Sequence, residues 1–293
     1  MAIISIEELE RATPLFRGKA GNALARGLLR MLKVTEIERR IDGFEKYQGP
    51  EFARKINEEA GMTYTVNGLP REEAIEHFRS ILPKGPFITI SNHTMGALDG
   101  ISLIDFVGHM REDYKYMVNA ILARFESLKD NMISVNPNGN LIAAPTAQSI
   151  AGVRAAKEHL ASGGCLGLFP SGAVSDLKLF QSRPVAEIAG FPPHREPRVR
   201  DREWQISIIK FIRNAGVPVL PLRLLDGNSD FYYSLGVIDW RLRLLRLPGE
   251  LLNKSGKTLR ILAGPVIEPS RLAEFSELQD LRSFLRASVY SLK

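Results

Sequence analysis

The 293-residue sequence predicts an α/β fold: a mostly parallel mixed sheet flanked by helices, with an N-terminal helical preface. Three observations predict it. Short β-branched or apolar runs alternate with longer segments of helical apolar spacing, the pattern of parallel sheets. One such run, Cys165 to Phe169, is apolar nearly throughout, as a buried strand is. The first 80 residues are dominated by helical material instead. The chain therefore divides into residues 1–80, a helical region, and residues 81–293, an α/β domain.

Residues 16–34 carry five basic residues and no acid, with Leu24, Leu28, Met31 and Leu32 at helical spacing. This basic amphipathic helix suits an anionic membrane surface; an ordinary core-facing helix with solvated charges is the other reading. Val34 to Ala60 continues as helix with mixed charge. Met62 to Val66 alternates as a short strand, and Asn67-Gly68 marks a turn. Arg71 to Leu82 is a helix stopped by Pro83. Ile88-Thr89-Ile90 is a strand, and Ile101 to Met110 a helix. Tyr114 to Ala120 and Met132 to Val135 are further strands, Thr146 to Ala161 a helix ended by Gly163-Gly164, and Cys165 to Phe169 a strand. Residues 181–202 read as a loop, with four prolines and Arg195, Arg198, Arg200 and Arg202 close together. Trp204 to Asn214 is a helix with Gly216 as its stop. Val217 to Leu222 is a strand whose prolines assign it to a sheet edge or a chain end. Ile238 to Leu247 mixes apolar and basic residues, Thr258 to Ala263 is a strand, and Ser270 to Leu292 forms one or two helices.

The composition excludes several classes. A hydrophobic share of 44% with 25% charge is that of a folded globular protein. One cysteine rules out an intramolecular disulfide and fits a reducing compartment; Cys165, in its apolar run, reads as buried and inert. No Cys and His cluster has zinc spacing, so neither a metal nor a bound cofactor is expected. The start lacks the pattern of a signal peptide, and no run of about 18 apolar residues predicts a transmembrane helix. A net charge of +6 favours an acidic partner: anionic lipid, an acidic carrier protein or nucleic acid. Aromatic-basic interleaving is absent, which ranks nucleic acid last.

The chemistry centres on Ser91-Asn92-His93-Thr94-Met95-Gly96-Ala97-Leu98-Asp99. A neutral imidazole takes a proton from an attacking alcohol, and a carboxylate fixes its tautomer and stabilises the imidazolium. Six positions apart, at about 100° per residue, His93 and Asp99 would point about 240° apart on a helix. They meet only if the chain loops first, which Gly96 permits. A second strand end, Phe169-Pro170-Ser171-Gly172, bends so that backbone N–H groups can line an anion or oxyanion pocket. Ser171 lacks a Gly-x-Ser-x-Gly elbow, which argues against a hydrolase nucleophile.

The order Asn-His-loop-Asp-Gly, then Phe-Pro-x-Gly about 70 residues later, then Val-Pro-Val-Leu-Pro, resembles the glycerolipid acyltransferase family typified by 1-acylglycerol-3-phosphate acyltransferase. The resemblance covers roughly residues 85–225. It implies acyl transfer from a thioester to a lysolipid hydroxyl, with His93 as general base and Asp99 as its orienting partner. It also implies an acceptor and oxyanion region at Phe169, Pro170, Ser171 and Gly172, supported by Asn92, and an acyl-binding side shaped by Pro218 and Pro221.

Three departures mark a branch. His93 and Asp99 are one residue further apart than the family's main pattern. Phe-Pro-Glu-Gly is here Phe-Pro-Ser-Gly. The arginine that ends an intervening block is replaced by Asn136-Pro137. These features, with Asn228 to Gly236 and Leu251 to Lys257, look like the bacterial "hemolysin-like" branch. That branch includes enzymes that O-acylate lyso-ornithine and lyso-glycine lipids. A phosphate dianion calls for a bidentate cation. The missing arginine therefore implies an aminolipid acceptor, unless Arg124, Lys129 or Arg223 folds in to replace it. The expected co-substrate is an acyl carrier protein or coenzyme A thioester, with Arg195, Arg198, Arg200 and Arg202 as contacts or as a solvated loop. The expected site of action is the cytoplasmic face of the inner membrane, with the 16–34 and Trp240–Arg246 segments as peripheral contacts. The alternatives are synthesis of phosphatidic acid from its lyso precursor, and a membrane-binding protein without catalysis.

Overall fold

The computed structural model describes residues 6–7, 10, 14–119, 126–135, 147–178, 182–238 and 240–293. Helices α1 (Gly18–Met31), α2 (Val34–Arg40) and α3 (Gly49–Glu59) come first. The hairpin β1 (Thr63–Val66) and β2 (Leu69–Pro70) and helix α4 (Arg71–Ile81) follow. Next come β3 (Phe87–Ser91), α5 (Ala97–Gly108), β4 (Tyr114–Asn119), β5 (Met132–Val135), α6 (Ala147–Ala161) and β6 (Cys165–Leu168). Four short strands succeed β6: β7 (Asp176–Leu177), β8 (Arg183–Val185), β9 (His194–Glu196) and β10 (Val199–Arg200). The chain closes with α7 (Ile206–Ala215), β11 (Val219–Leu224), α8 (Asp230–Ile238), α9 (Trp240–Leu252), β12 (Thr258–Ala263), α10 (Pro269–Ala273) and α11 (Leu278–Tyr290).

Eight strands form one sheet in the order β2-β1-β12-β11-β3-β6-β4-β5. Five of the seven pairings are parallel; β1 with β2 and β11 with β12 are antiparallel. This is the mostly parallel mixed α/β sheet that the alternation predicts. β3 lies inside it, and all five of its residues are buried. Phe87 packs into the core beneath α3, α4 and α5, while Ile88 and Ile90 join the opposite core with α7 and α11. Its polar residues are answered: Thr89 meets the Tyr114 hydroxyl at 2.6 Å and Ser91 the Tyr116 hydroxyl at 3.1 Å. Gly167 makes room for both rings, since a Cβ there would collide with them.

Two expectations are corrected. The proline-bearing strand is not at an edge; β11 lies between β12 and β3. Val219 N–H bonds to Ile267 on the β12 side, so the N–H that Pro221 lacks would point that way too. There β12 has ended at Ala263, and Gly264 turns to donate to the Pro221 carbonyl instead. The missing donor thus falls at a break in the ladder, which is why a proline is tolerated inside the sheet. Residues 181–202 are also less loop-like than their composition suggests. β8 pairs with β9, and β10 pairs back to β7. Cys165 is buried, and burial pushes its thiol up to about 12.

A buried charge network ties the helices below the site. Asp105 of α5 is held by Arg71 Nη2 at 2.7 Å, by Asn57 Nδ2 at 3.0 Å and by His109 Nδ1 at 3.2 Å. Its carboxylate, hydrogen-bonded to the ring, raises the His109 pKa above 6.5 against the opposing effect of burial. A raised folded pKa gives stability that is complete below the unfolded value and lost as pH rises through the folded one. Urea melts are therefore expected to show a midpoint that falls as pH climbs through the range above 6.5. His109→Gln should remove that decline; an unchanged pH slope would disprove the linkage.

Candidate active site

The awkward spacing of His93 and Asp99 is resolved by where the helix starts. Gly96 takes φ 77° and ψ −131°, a conformation open to glycine, and α5 begins at Ala97. Asp99 is therefore the third residue of the helix. Its Oδ2 accepts the N–H groups of Met95 at 2.7 Å and Gly96 at 3.1 Å, and lies 2.9 Å from His93 Nδ1. Helix N-termini leave N–H groups unpaired, and a carboxylate there is favoured by the helix dipole. One fully buried side chain thus caps the helix and orients the imidazole.

The imidazole is braced on its face and through its main chain. Its ring stacks on Phe169 with centroids 3.9 Å apart and planes 17° apart, and Phe169 leans on Tyr116. The His93 N–H donates to Asp201 Oδ1 at 3.1 Å, and its carbonyl accepts the Ser175 N–H at 2.6 Å. Asp201 also accepts the Ser175 hydroxyl at 2.6 Å and the Trp204 indole N–H at 3.0 Å. Complete burial raises its pKa above the usual carboxylate range, opposed by these donors.

Neighbouring elements grip the rest of the loop. The Asn92 amide exchanges two hydrogen bonds of 2.8 Å with the Leu224 backbone, tying β3 to the end of β11. The Thr94 hydroxyl donates to the Asp226 carbonyl, and the Tyr233 hydroxyl of α8 donates to the Thr94 carbonyl. Arg243 of α9 donates to the carbonyls of Ser175 and Val174 and pairs with Asp176 at 2.7 Å.

The structure brings some predicted residues to His93 and leaves others away. Phe169 is in contact. Ser171 turns onto its own bend, its hydroxyl donating to the Ala173 carbonyl at 2.8 Å. The Gly172 N–H is taken by the Phe169 carbonyl at 2.9 Å, and the Pro170 carbonyl accepts the Gln205 N–H. Asn92 is occupied by Leu224. Pro218 stands beside Ile88 at the start of β3, so about five residues of strand, roughly 17 Å, separate it from His93. Pro221 is buried within β11. Arg195 and Arg198 are exposed, whereas Arg200 and Arg202 face a cavity beside Asp201. Of the cations that could replace the missing arginine, Arg223 donates to the carbonyls of Tyr290 and Leu292, and Lys129 is exposed beside Glu126. Arg124 and Asn136-Pro137 lie outside the described residues.

Sequence reasoning missed Asp201, Ser175, Tyr233 and Arg243. Asp201 sits in a stretch read only for its arginines. Tyr233 and Arg243 act across more than 65 residues of chain, at a separation that no local pattern signals. Among the described residues, no group of three or more His, Cys, Asp and Glu side chains is placed to hold a metal ion. No helix among them is long and apolar enough to cross a membrane.

A family model described as acyltransferase matches residues 8–293. The chain is 24% identical over 231 residues to a protein of Phocaeicola vulgatus named lyso-glycine lipid O-acyltransferase; the match covers 76% of this chain and 74% of that protein. It is 25% identical over 194 residues to a protein of the same name from Bacteroides thetaiotaomicron, covering 64% of this chain and 62% of that one.

The loop geometry carries its own test. Asp201→Asn replaces an oxygen with an amide donor that must face another donor, at His93, Ser175 or Trp204. An unsatisfied buried group of this kind costs about 1–3 kcal/mol, which denaturant melts followed by Trp204 fluorescence would read. Unaltered stability and fluorescence would mean that Asp201 does not hold the loop.

Proposed function

The chain belongs to this acyltransferase family, and from that premise we propose that it transfers an acyl group from a thioester to the hydroxyl of a lyso-aminolipid of the glycine or ornithine type. One observation carries the reading: His93 Nδ1 stands 2.9 Å from the buried Asp99 carboxylate, beyond the carboxyl end of an interior strand.

In this scheme Asp99 holds the proton on Nδ1, leaving the Nε2 lone pair for the acceptor. Nε2 takes the hydroxyl proton as the alcohol oxygen attacks the thioester carbonyl carbon. The tetrahedral intermediate collapses, the C–S bond breaks, and the imidazolium returns its proton to the leaving thiolate. The new ester and the free thiol balance the reaction, with no acyl-enzyme. The Phe169 ring, stacked on the imidazole, fixes the plane in which Nε2 is presented. The thioester is a co-substrate, and no bound cofactor enters.

Among the described residues, the commitments of four cations support this acceptor class. Arg223 and Lys129 are directed elsewhere, Arg243 is paired with Asp176, and Lys254 donates to the Gly227 carbonyl. A phosphate dianion would ask more of these side chains than a lipid whose headgroup carries a single carboxylate. The names of the two relatives agree with such an acceptor.

The same reading places the protein on the cytoplasmic face of a membrane. On α1, Leu24 is 51% and Met31 72% exposed, beside Arg26 and Arg30. On α8, Phe231 and Ile238 are also exposed, and α9 packs against both α8 and α2. Exposed apolar side chains flanked by basic ones suit an anionic bilayer. Arg243 is removed from this surface, because it is buried against the site loop.

Purified protein given labelled acyl-carrier and acyl-coenzyme A thioesters with a panel of lysolipids tests the proposal. His93→Ala and Asp99→Asn are expected to lower turnover by about 10²–10⁴-fold. Full transfer by His93→Ala would refute the chemistry. Preference for lysophosphatidic acid would refute the acceptor. Arg26→Glu with Arg30→Glu should weaken sedimentation with anionic vesicles; undiminished binding would move the membrane contact elsewhere.

A further inference from the structure

Arg200 and Arg202 open onto a cavity of about 290 Å³. Six cations line it: Lys178, Arg183, Arg200, Arg202, Arg282 and Arg286. Among the described residues, three of the lining bear carboxylates. Glu196, 1% exposed, is claimed by three guanidiniums at once: Arg286 at 2.6 Å, Arg183 at 3.3 Å and Arg200 at 3.7 Å. Glu203 is taken by Arg282 at 2.6 Å. The third is Asp201, whose side chain is committed to His93, Ser175 and Trp204. Asp176 reaches Arg202 and Lys178 from outside the lining, and Arg243 shares it as well. Positive charge is therefore in surplus. The crowding is felt at Arg200, where burial and the like charges of Arg183 and Arg286 lower the pKa, against the pull of Glu196.

Two properties narrow the ligand. Guanidinium forks match phosphate oxygens in pairs, and a semi-enclosed cavity strengthens each such bond. Asp201 joins the cavity to the site loop: it belongs to the lining, its carbonyl accepts from Arg286, and its carboxylate accepts the His93 N–H. Of the lining residues, Asp201 is the one bonded to the loop that carries the imidazole.

We propose that this cavity binds the phosphate of the phosphopantetheine arm common to acyl carrier protein and coenzyme A. The proposal rests on the thioester-dependent reading above and adds to it where the donor is held. The arm carries its phosphate at one end and the thioester sulfur at the other, so anchoring the first limits the second to the arm's own reach from the cavity. Arg286 links the two places mechanically: its guanidinium also donates to the carbonyls of Asp201 and Arg202. The outward-facing Arg195 and Arg198 take no part.

Calorimetric titration with 4′-phosphopantetheine, pantetheine and inorganic phosphate tests the site without turnover. On the unmodified protein, 4′-phosphopantetheine is expected to bind at least about tenfold tighter than either of the others. Equal binding of pantetheine would overturn the proposal, as would inorganic phosphate binding as tightly as the whole arm. So would displacement of phosphopantetheine from these arginines by phosphatidylglycerol vesicles, which would assign the site to a lipid headgroup. Arg183→Gln with Arg282→Gln removes two cations outside the His93 loop, and melting curves check that the fold is kept. In the folded double variant the preference for the phosphorylated arm should vanish. The KM for the thioester should rise about tenfold, with kcat and the acceptor KM unchanged. Turnover with an unaltered donor KM would remove the site and leave the function standing. Variant-sensitive binding without transfer to any lysolipid would remove the function and leave the site standing.

Discussion

A single carboxylate oxygen organises this site. Asp99 Oδ2 receives two backbone N–H groups from the turn before α5 and lies in hydrogen-bond range of the His93 ring. The helix could not begin so close behind the strand without a buried acceptor for those N–H groups. The acceptor cannot be reached unless the chain turns through the conformation that Gly96 provides. The six-residue interval is the length of that turn, so the distance between the two side chains follows from how a helix is started.

Around this turn, the Asn92, His93 and Thr94 groups of the loop are answered from distant parts of the chain. Leu224 reads the Asn92 amide, Asp226 and Tyr233 hold Thr94, and Asp201 and Ser175 hold the His93 main chain. Buried hydrogen bonds add modest net stability, but leaving one unmade is costly. The loop therefore has few alternative conformations. Arg243 extends the arrangement to α9, connecting a surface helix to the carbonyls beside the histidine.

Much of this was legible in the sequence wherever the cause is local. The β-branched run before His93, the alternation of strand and helix, and the flexibility of Gly96 all act within a few residues. The pairing of His93 with Asp99 was permitted by residue types once a loop was allowed, and it was assigned through the resemblance carried by the Phe-Pro-x-Gly and Val-Pro-Val-Leu-Pro motifs. The placement of β11 was not legible, because Pro221 is tolerated only through a break at Ala263, 42 residues later in the neighbouring strand. The Asp201 clamp was hidden by its company: amid Arg195, Arg198, Arg200 and Arg202, charge suggested an outward-facing loop. The fold instead turns Arg200 and Arg202 inward and buries the acid between them. The Phe169–Gly172 turn was read as a supplier of donors; its Gly172 N–H goes to the Phe169 carbonyl and its Ser171 hydroxyl to the Ala173 carbonyl, while Gln205 donates to the carbonyls of Pro170 and Ser171.

The double duty of Asp99 also bears on how such chains change over time. A descendant that abandoned acyl transfer would still need something to cap α5, so selection for folding alone would preserve this aspartate. His93 is under no such protection. Its main-chain bonds to Asp201 and Ser175 are available to almost any residue, and its ring serves no helix end. Within this architecture the aspartate records that the loop is intact, while under the proposed acyl transfer the histidine would record that the chemistry is still in use.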